Sequence, residues 1–196
     1  MFQSASLIHG PEYLKVFVYG SDYVGKTRFA LEAFGKKAVI DTDNGSNFFK
    51  RKYKFDMIRT QSYEQLTQAI EHIKQNSKQY DVLIIDSITH IYQDVKDLAT
   101  ATRTNGKNTI AVTRGEWGVI KEKFGSLITS LCDLPCHLVI TAYSKDEFEG
   151  EGNNMKKVGT RPEVDPKMRY LPDVRIRLDI DKDSGFHFGV IEKDRT

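Results

Sequence analysis

Gly20-Ser21-Asp22-Tyr23-Val24-Gly25-Lys26-Thr27 fits the pattern G-x-x-x-x-G-K-[ST], and each part of that spacing has a chemical reason. Glycines let the backbone wrap closely round a phosphate with successive N–H groups turned inward. The start of a following helix adds its dipole. A lysine at position 26 can reach the β- and γ-phosphates, and a hydroxyl at position 27 can face Mg2+. We therefore expect this loop, with Arg28 directly after it, to bind a nucleotide's phosphates together with Mg2+.

A second acidic site complements the loop. Asp81 to Asp86 reads DVLIID, an apolar strand closed by a carboxylate. At the C-terminal edge of a parallel sheet, Asp86 would hold Mg2+ through water beside Thr27. An aspartate there can also simply cap the next helix, but the upstream loop favours the metal role. Asp81, at the start of the strand, belongs at the far end. Val39-Ile40-Asp41-Thr42-Asp43 places two acids after another strand. Asp43 is the better placed to orient the attacking water, since Asp41 still belongs to the strand. The competing reading makes Asp43-Asn44-Gly45 only a turn.

These residues need a scaffold that brings strand ends together, and the hydrophobic pattern supplies one. Leu14–Tyr19 reads as a strand buried on both faces. A helix from Lys26 to Phe34, closed by Gly35, follows the loop. Strands are expected at Ala38–Asp41, Phe55–Arg59, Val82–Ile85 and His137–Ala142. Helices are expected from Ser62, through a capping box with Gln65, to Gln75, and over Thr89–Thr100 and Glu116–Leu131. Ala101–Thr113 and Tyr143–Pro166 read as loops, the second too long for a simple connection. Val174–Asp179 and Phe186–Ile191 alternate with period 2 about an Asp181–Gly185 turn and read as a closing hairpin. Strands alternating with helices predict an α/β three-layer sandwich with a mostly parallel sheet and a C-terminal β-hairpin, in one domain over residues 1–196.

Composition narrows the class. The 196 residues are 39% hydrophobic and 29% charged, a globular balance. A net charge of +2 excludes binding to nucleic acid by bulk charge. No apolar run approaches a membrane span, and the start lacks a signal-peptide pattern. The two cysteines cannot form a disulfide framework, so a cytoplasmic location is expected. Cys132 and Cys136 read as buried thiols, and Trp117 and Phe124 as core.

The order of motifs resembles the core of RecA-type P-loop ATPases: phosphate loop, strand ending in Asp41-Thr42-Asp43, DVLIIDS, then a strand ending in Val139-Ile140-Thr141. Small size, GEWGVI at Gly115–Ile120 and the closing hairpin look more like phage-encoded RecA-core proteins, including single-strand annealing ATPases of recombination systems. The resemblance implies ATP hydrolysis, single-stranded DNA as partner, and a homo-oligomeric ring or filament in a bacterial host's cytoplasm. It puts Asp43 where such proteins usually carry a glutamate. Thr141, or its neighbours Tyr143 and Ser144, would be the γ-phosphate sensor. Lys193 and Arg195 resemble a K-x-R ending that reaches a neighbouring subunit's nucleotide, against the plainer reading of an exposed charged terminus.

Lys50-Arg51-Lys52-Tyr53-Lys54, interleaved with Phe48, Phe49 and Phe55, could track a DNA strand by charge and stacking, or be a solvated surface over core aromatics. The 101–113 and 143–166 segments correspond to the DNA-facing loops of such relatives. Two other functions stay open: an ATP-dependent assembly or loading factor for a replication partner such as a helicase or a single-strand DNA-binding protein, and, with less support, a small-molecule kinase.

Overall fold

The computed structural model describes residues 13–104, 112–150 and 155–196. Eight strands form one sheet in the order β3-β2-β4-β5-β1-β7-β8, with β6 paired to β5 off that path. The strands are β1 (Lys15–Gly20), β2 (Lys37–Asp41), β3 (Asp56–Arg59), β4 (Val82–Asp86), β5 (His137–Glu149), β6 (Lys156–Pro162), β7 (Val174–Ile180) and β8 (His187–Lys193). From β3 across to β7 all pairings along the sheet are parallel. At the edge β8 returns antiparallel to β7, closing the sheet with the expected hairpin. Asp181 ties the turn, its Oδ1 accepting from the Ser184 backbone N–H at 2.8 Å.

Helices cover both faces because central strands such as β4, buried at every position, need apolar cover above and below. On one face α2 (Tyr63–Gln75), α3 (Ile88–Thr104) and α4 (Arg114–Cys132) pack Leu66, Ile70, Ile91, Val95, Phe124 and Leu127 onto Phe17, Ile40, Leu83, Ile85, Leu138 and Ile140. Each such side chain contributes about 1.5–3 kcal/mol through burial. On the other face the short α1 (Lys26–Leu31) sets Ala30 and Leu31 against Val18, Val39, Ile84 and Val139. Among the described residues no helix is long and apolar enough to cross a membrane.

Several boundaries differ from the expectations. The first helix stops at Leu31 rather than Phe34, with Glu32 as its C-cap. The third extends to Thr104, so the expected 101–113 loop begins later, and 105–111 lies outside the described residues. Thr113 caps α4: its Oγ1 accepts from Glu116 N at 3.3 Å and its own N donates to Glu116 Oε2 at 2.6 Å. The largest correction concerns 143–166. There β5 continues to Glu149 and pairs antiparallel with β6, making an arm braced by a Lys157–Asp146 ion pair at 2.7 Å. Its polar, solvent-facing residues carry no apolar alternation, so composition made it read as a loop. Cys136 is buried but Cys132 is exposed. Phe124 is core, whereas Trp117, on the outer side of α4, is 37% exposed.

Candidate functional site

Parallel register aligns the C-terminal ends of β1, β2, β4 and the sheet portion of β5. Gly20 pairs with Tyr143 and Asp41 with Asp86. The chain leaves β1 for one face through α1 and returns on the other through α2–α4, the topology that opens a crevice at strand ends.

The loop from Gly20 to Gly25 fills this crevice. Gly20 leaves no room for a side chain, since a Cβ there would lie 2.5 Å from the Leu178 carbonyl oxygen. Gly25 has φ +97°, a left-handed conformation that glycine adopts without strain. Tyr23 also has positive φ (63°) and points its ring into solvent, while Val24 is buried beneath the loop. Ser21 and Asp22 are exposed, and Arg28 lies exposed on the first turn of α1.

Lys26 is only 8% exposed. Its Nζ donates to the carbonyls of Gly20 (3.0 Å) and Ser21 (2.6 Å), so the ammonium is folded over the loop. Burial lowers its pKa, while Asp22, Asp86 and Asp43 act in the opposite direction. Asp86 is buried beside the loop. Its Oδ2 accepts from Thr27 Oγ1 at 2.7 Å and its Oδ1 from Thr141 Oγ1. Burial raises the Asp86 pKa, and the two hydroxyl donors pull it partly back.

Asp43 stands at the mouth. Its Oδ1 accepts from the Gly45 N–H at 2.9 Å and its Oδ2 from the Tyr143 hydroxyl at 2.8 Å. The Tyr143 ring lies 4.9 Å from Lys26 Nζ, a cation–π contact. Burial, then the bond to Asp43, pushes the Tyr143 phenol well above its ordinary range. His90 meets that ring edge-on at 5.4 Å, and its Nδ1 lies 2.8 Å from Thr42 Oγ1. Asp41 is buried and accepts from Ser46 Oγ, leaving its Oδ1 without a partner.

The structure thus brings Lys26, Thr27, Asp43, Asp86 and Thr141 into one cluster. Thr141 is fully buried and touches Asp86, so Tyr143 is the residue of β5 that faces the mouth. Lys193 and Arg195 are placed at the far end of the strands, near the start of β1 and away from the phosphate loop. Lys193 Nζ donates to the carbonyls of Arg169 (3.1 Å) and Pro172 (2.5 Å), and the Arg195 backbone N–H donates to Asp173 O. In the basic cluster, Phe49, Tyr53 and Phe55 pack against the α1-side core, and Tyr53 donates to Glu32 at 2.9 Å. Among its aromatics Phe48 alone stands fully out, 89% exposed. Sequence reasoning did not find His90 or His187; neither has a motif spacing, and only the fold brings them to the site.

Thr27 and Asp86 fit Mg2+. Both are hard oxygen donors, side by side next to the phosphate loop. No group of three or more His, Cys, Asp or Glu among the described residues could hold a metal, so phosphate oxygens and waters would complete the shell.

No curated protein matches the chain. Among solved structures, a KaiC-like protein of the archaeon Pyrococcus horikoshii superposes with a TM-score of 0.55 at 17% identity, over 94% of this chain and 81% of that one. At that identity the likeness establishes the RecA-like P-loop fold. A family model described as an AAA domain matches residues 12–195, nearly the whole length. With the phosphate loop and its carboxylates at the strand ends, the chain belongs to that AAA-domain family of P-loop ATPases.

Proposed function

We propose that the protein binds Mg·ATP and hydrolyses it, acting on single-stranded DNA as a homo-oligomer in phage-type recombination or annealing. The observation that carries the ATPase part is the convergence of Lys26, Thr27, Asp86 and Asp43 at aligned strand ends. Lys26 leaves its carbonyl partners to hold the β- and γ-phosphates. Thr27 and Asp86 would hold Mg2+, which would supply charge neutralisation to the same phosphates. Asp43 orients a water in line with the γ-phosphorus. The water oxygen bonds to phosphorus, the bond to the β–γ bridging oxygen breaks, ADP leaves with that oxygen, and the proton lost by the water passes to the released phosphate or to solvent. Positioning and charge complementarity do most of this work.

The DNA part is supported by the exposed Lys50, Arg51, Lys52 and Lys54 beside Phe48, and by the resemblance to RecA-core annealing proteins. Lys193 and Arg195, distant from their own phosphate loop, act on a neighbour's nucleotide in this reading. A cytoplasmic setting goes with it.

One observation favours the loading-factor reading. The β5–β6 arm exposes Phe148, Met155 and Val158, each half or more accessible, a surface better suited to a protein than to a phosphate backbone.

ATP turnover with and without single-stranded DNA, and a gel shift on short single- and double-stranded DNA with ATP, ADP and a non-hydrolysable analogue, test the proposal. DNA-stimulated turnover and a nucleotide-dependent shift are expected. Turnover without any DNA binding would replace the recombination reading by the loading factor. Absence of nucleotide binding would remove both.

A further inference from the structure

Thr89 and His90, consecutive residues in the first turn of α3, both hold Tyr143. Thr89 Oγ1 accepts from the Tyr143 backbone N–H at 3.0 Å. The His90 ring meets the Tyr143 ring with centroids 5.4 Å apart and planes at 78°, a T-shaped arrangement that aromatic quadrupoles favour. Helix α3 thus fixes Tyr143 at its backbone and at its ring, while the phenol reaches across to Asp43.

His90 is itself fixed by Thr42. The Thr42 hydroxyl oxygen lies 2.8 Å from His90 Nδ1, 2.7 Å from the Ser87 nitrogen and 3.0 Å from the Ser87 carbonyl oxygen. A hydroxyl has one proton to give and two lone pairs to fill. The Ser87 N–H can only donate and the Ser87 carbonyl can only accept. The Thr42 proton therefore goes to that carbonyl, and His90 Nδ1 donates the remaining bond. This bonding assigns the neutral ring's proton to Nδ1. Thr42 and Ser87 are both buried, so water does not readily replace these bonds.

The contacts close a circuit at the mouth of the site: Asp43 to Tyr143, Tyr143 to His90, His90 to Thr42, and Thr42 back to Asp43 along the chain. Ser87, bonded to Thr42, follows Asp86, so the circuit joins the two strand ends that carry the carboxylates. Lys26 also touches the Tyr143 ring, but it leaves for the phosphates when nucleotide binds. His90 stays behind as the support of that ring.

We infer that His90 is a positioning residue of the reaction: anchored on Thr42, its ring sets Tyr143 so that the phenol stays on Asp43 in the loaded site. The inference rests on the ATPase reading above and adds a residue that no motif marks. In this role the histidine touches no substrate and moves no proton.

Steady-state turnover and equilibrium ATP binding test this in the intact protein, in His90→Ala, His90→Phe and Tyr143→Phe, and in the His90→Ala/Tyr143→Phe double variant. His90→Ala should lower kcat by about three- to tenfold, the scale of one aromatic pair. ATP affinity should stay within about twofold. In the Tyr143→Phe background the same change should lower kcat by less than about twofold, because the hydroxyl it positions is already gone. His90→Phe keeps a ring against Tyr143 without ring nitrogens, and should recover at least about half of the lost turnover. Two-bond 1H–15N spectra of the parent, assigned by comparison with His90→Phe, should show Nδ1 protonated and Nε2 bare.

Full additivity in the double variant overturns the inference. So does His90→Phe as impaired as His90→Ala, since the histidine would then act through its nitrogens. An Nε2-protonated ring overturns it too, by breaking the bonding at Thr42. Should His90→Ala fail to fold, the same cycle with His90→Leu, which fills the space without a ring, decides the matter. A parent that never turns ATP over refutes the ATPase reading and the inference with it, whereas additivity strikes the inference alone.

Discussion

The Tyr143 hydroxyl donates to Asp43 Oδ2 at 2.8 Å while its ring lies 4.9 Å from Lys26 Nζ. One side chain thus touches both the phosphate-binding lysine and the carboxylate proposed to orient water. Its backbone is held at the root of the arm, with N donating to Thr89 Oγ1 and O accepting from Glu163 N.

Tyr143→Phe keeps the ring over Lys26 and removes the donor to Asp43. A hydrogen bond to a charged group contributes about 1.5–3 kcal/mol, so kcat should fall by about tenfold or more. Affinity for ATP should stay within about twofold, since the phosphate contacts are intact. Steady-state turnover beside equilibrium ATP binding checks this; an unchanged kcat would dissociate Tyr143 from the reaction.

Lys26→Ala should abolish measurable ATP binding in a titration, because the loop loses the charge that reaches the phosphates. The fold should persist, since the lysine's burial opposes its charge and its only bonds are to loop carbonyls. Retained tight binding in the variant would contradict the site.

Asp86→Asn should eliminate turnover and raise thermal stability. Burial lifts the Asp86 pKa above its unfolded value. The folded chain therefore holds this proton better, and the resulting stability is fully present below the unfolded pKa and lost as pH rises through the folded one. The asparagine form lacks that loss. At neutral pH the gain is expected at about 0.5–2 kcal/mol, or a few degrees in Tm for a domain of this size, roughly 2–4 °C per kcal/mol. Thermal melts of both proteins across pH 4–8 (about the carboxylate range and above) should converge at the acid end and separate toward neutrality.

Lys193→Ala removes an ammonium that spans the Arg169 and Pro172 carbonyls. It should destabilise the fold by about 1 kcal/mol and leave ATP affinity unchanged. Arg195→Ala tests the contribution in trans: turnover should fall without loss of ATP binding, and adding an excess of Lys26→Ala protein, which retains Arg195, should restore it.

Much of the site was legible in the chain itself. The eight residues from Gly20 to Thr27 specify a phosphate loop through local geometry alone, and DVLIID announces a buried strand with a carboxylate at its end. Strand–helix alternation announced the layers for the same reason, since periodicity is a local property. The 143–166 arm was not legible, because a hairpin that stands in solvent buries neither face and so needs no regular apolar alternation. Neither was the placement of Lys193: only the antiparallel return of β8 carries it to the end of the strands opposite the loop.

By itself the sequence determined the chemistry available: a lysine and a threonine after a glycine-bounded turn, and carboxylates at the ends of apolar strands. The tertiary structure decided which of these groups meet. Parallel pairing in the order β2-β4-β5-β1 aligns strand ends far apart in the chain, bringing Asp43 and Tyr143 together across 100 positions. The antiparallel return of β8 beside β7 puts His187 against Val24, 163 positions away. Contacts of that range depend on register across a sheet, and register is set by the packing of the whole core rather than by any one segment.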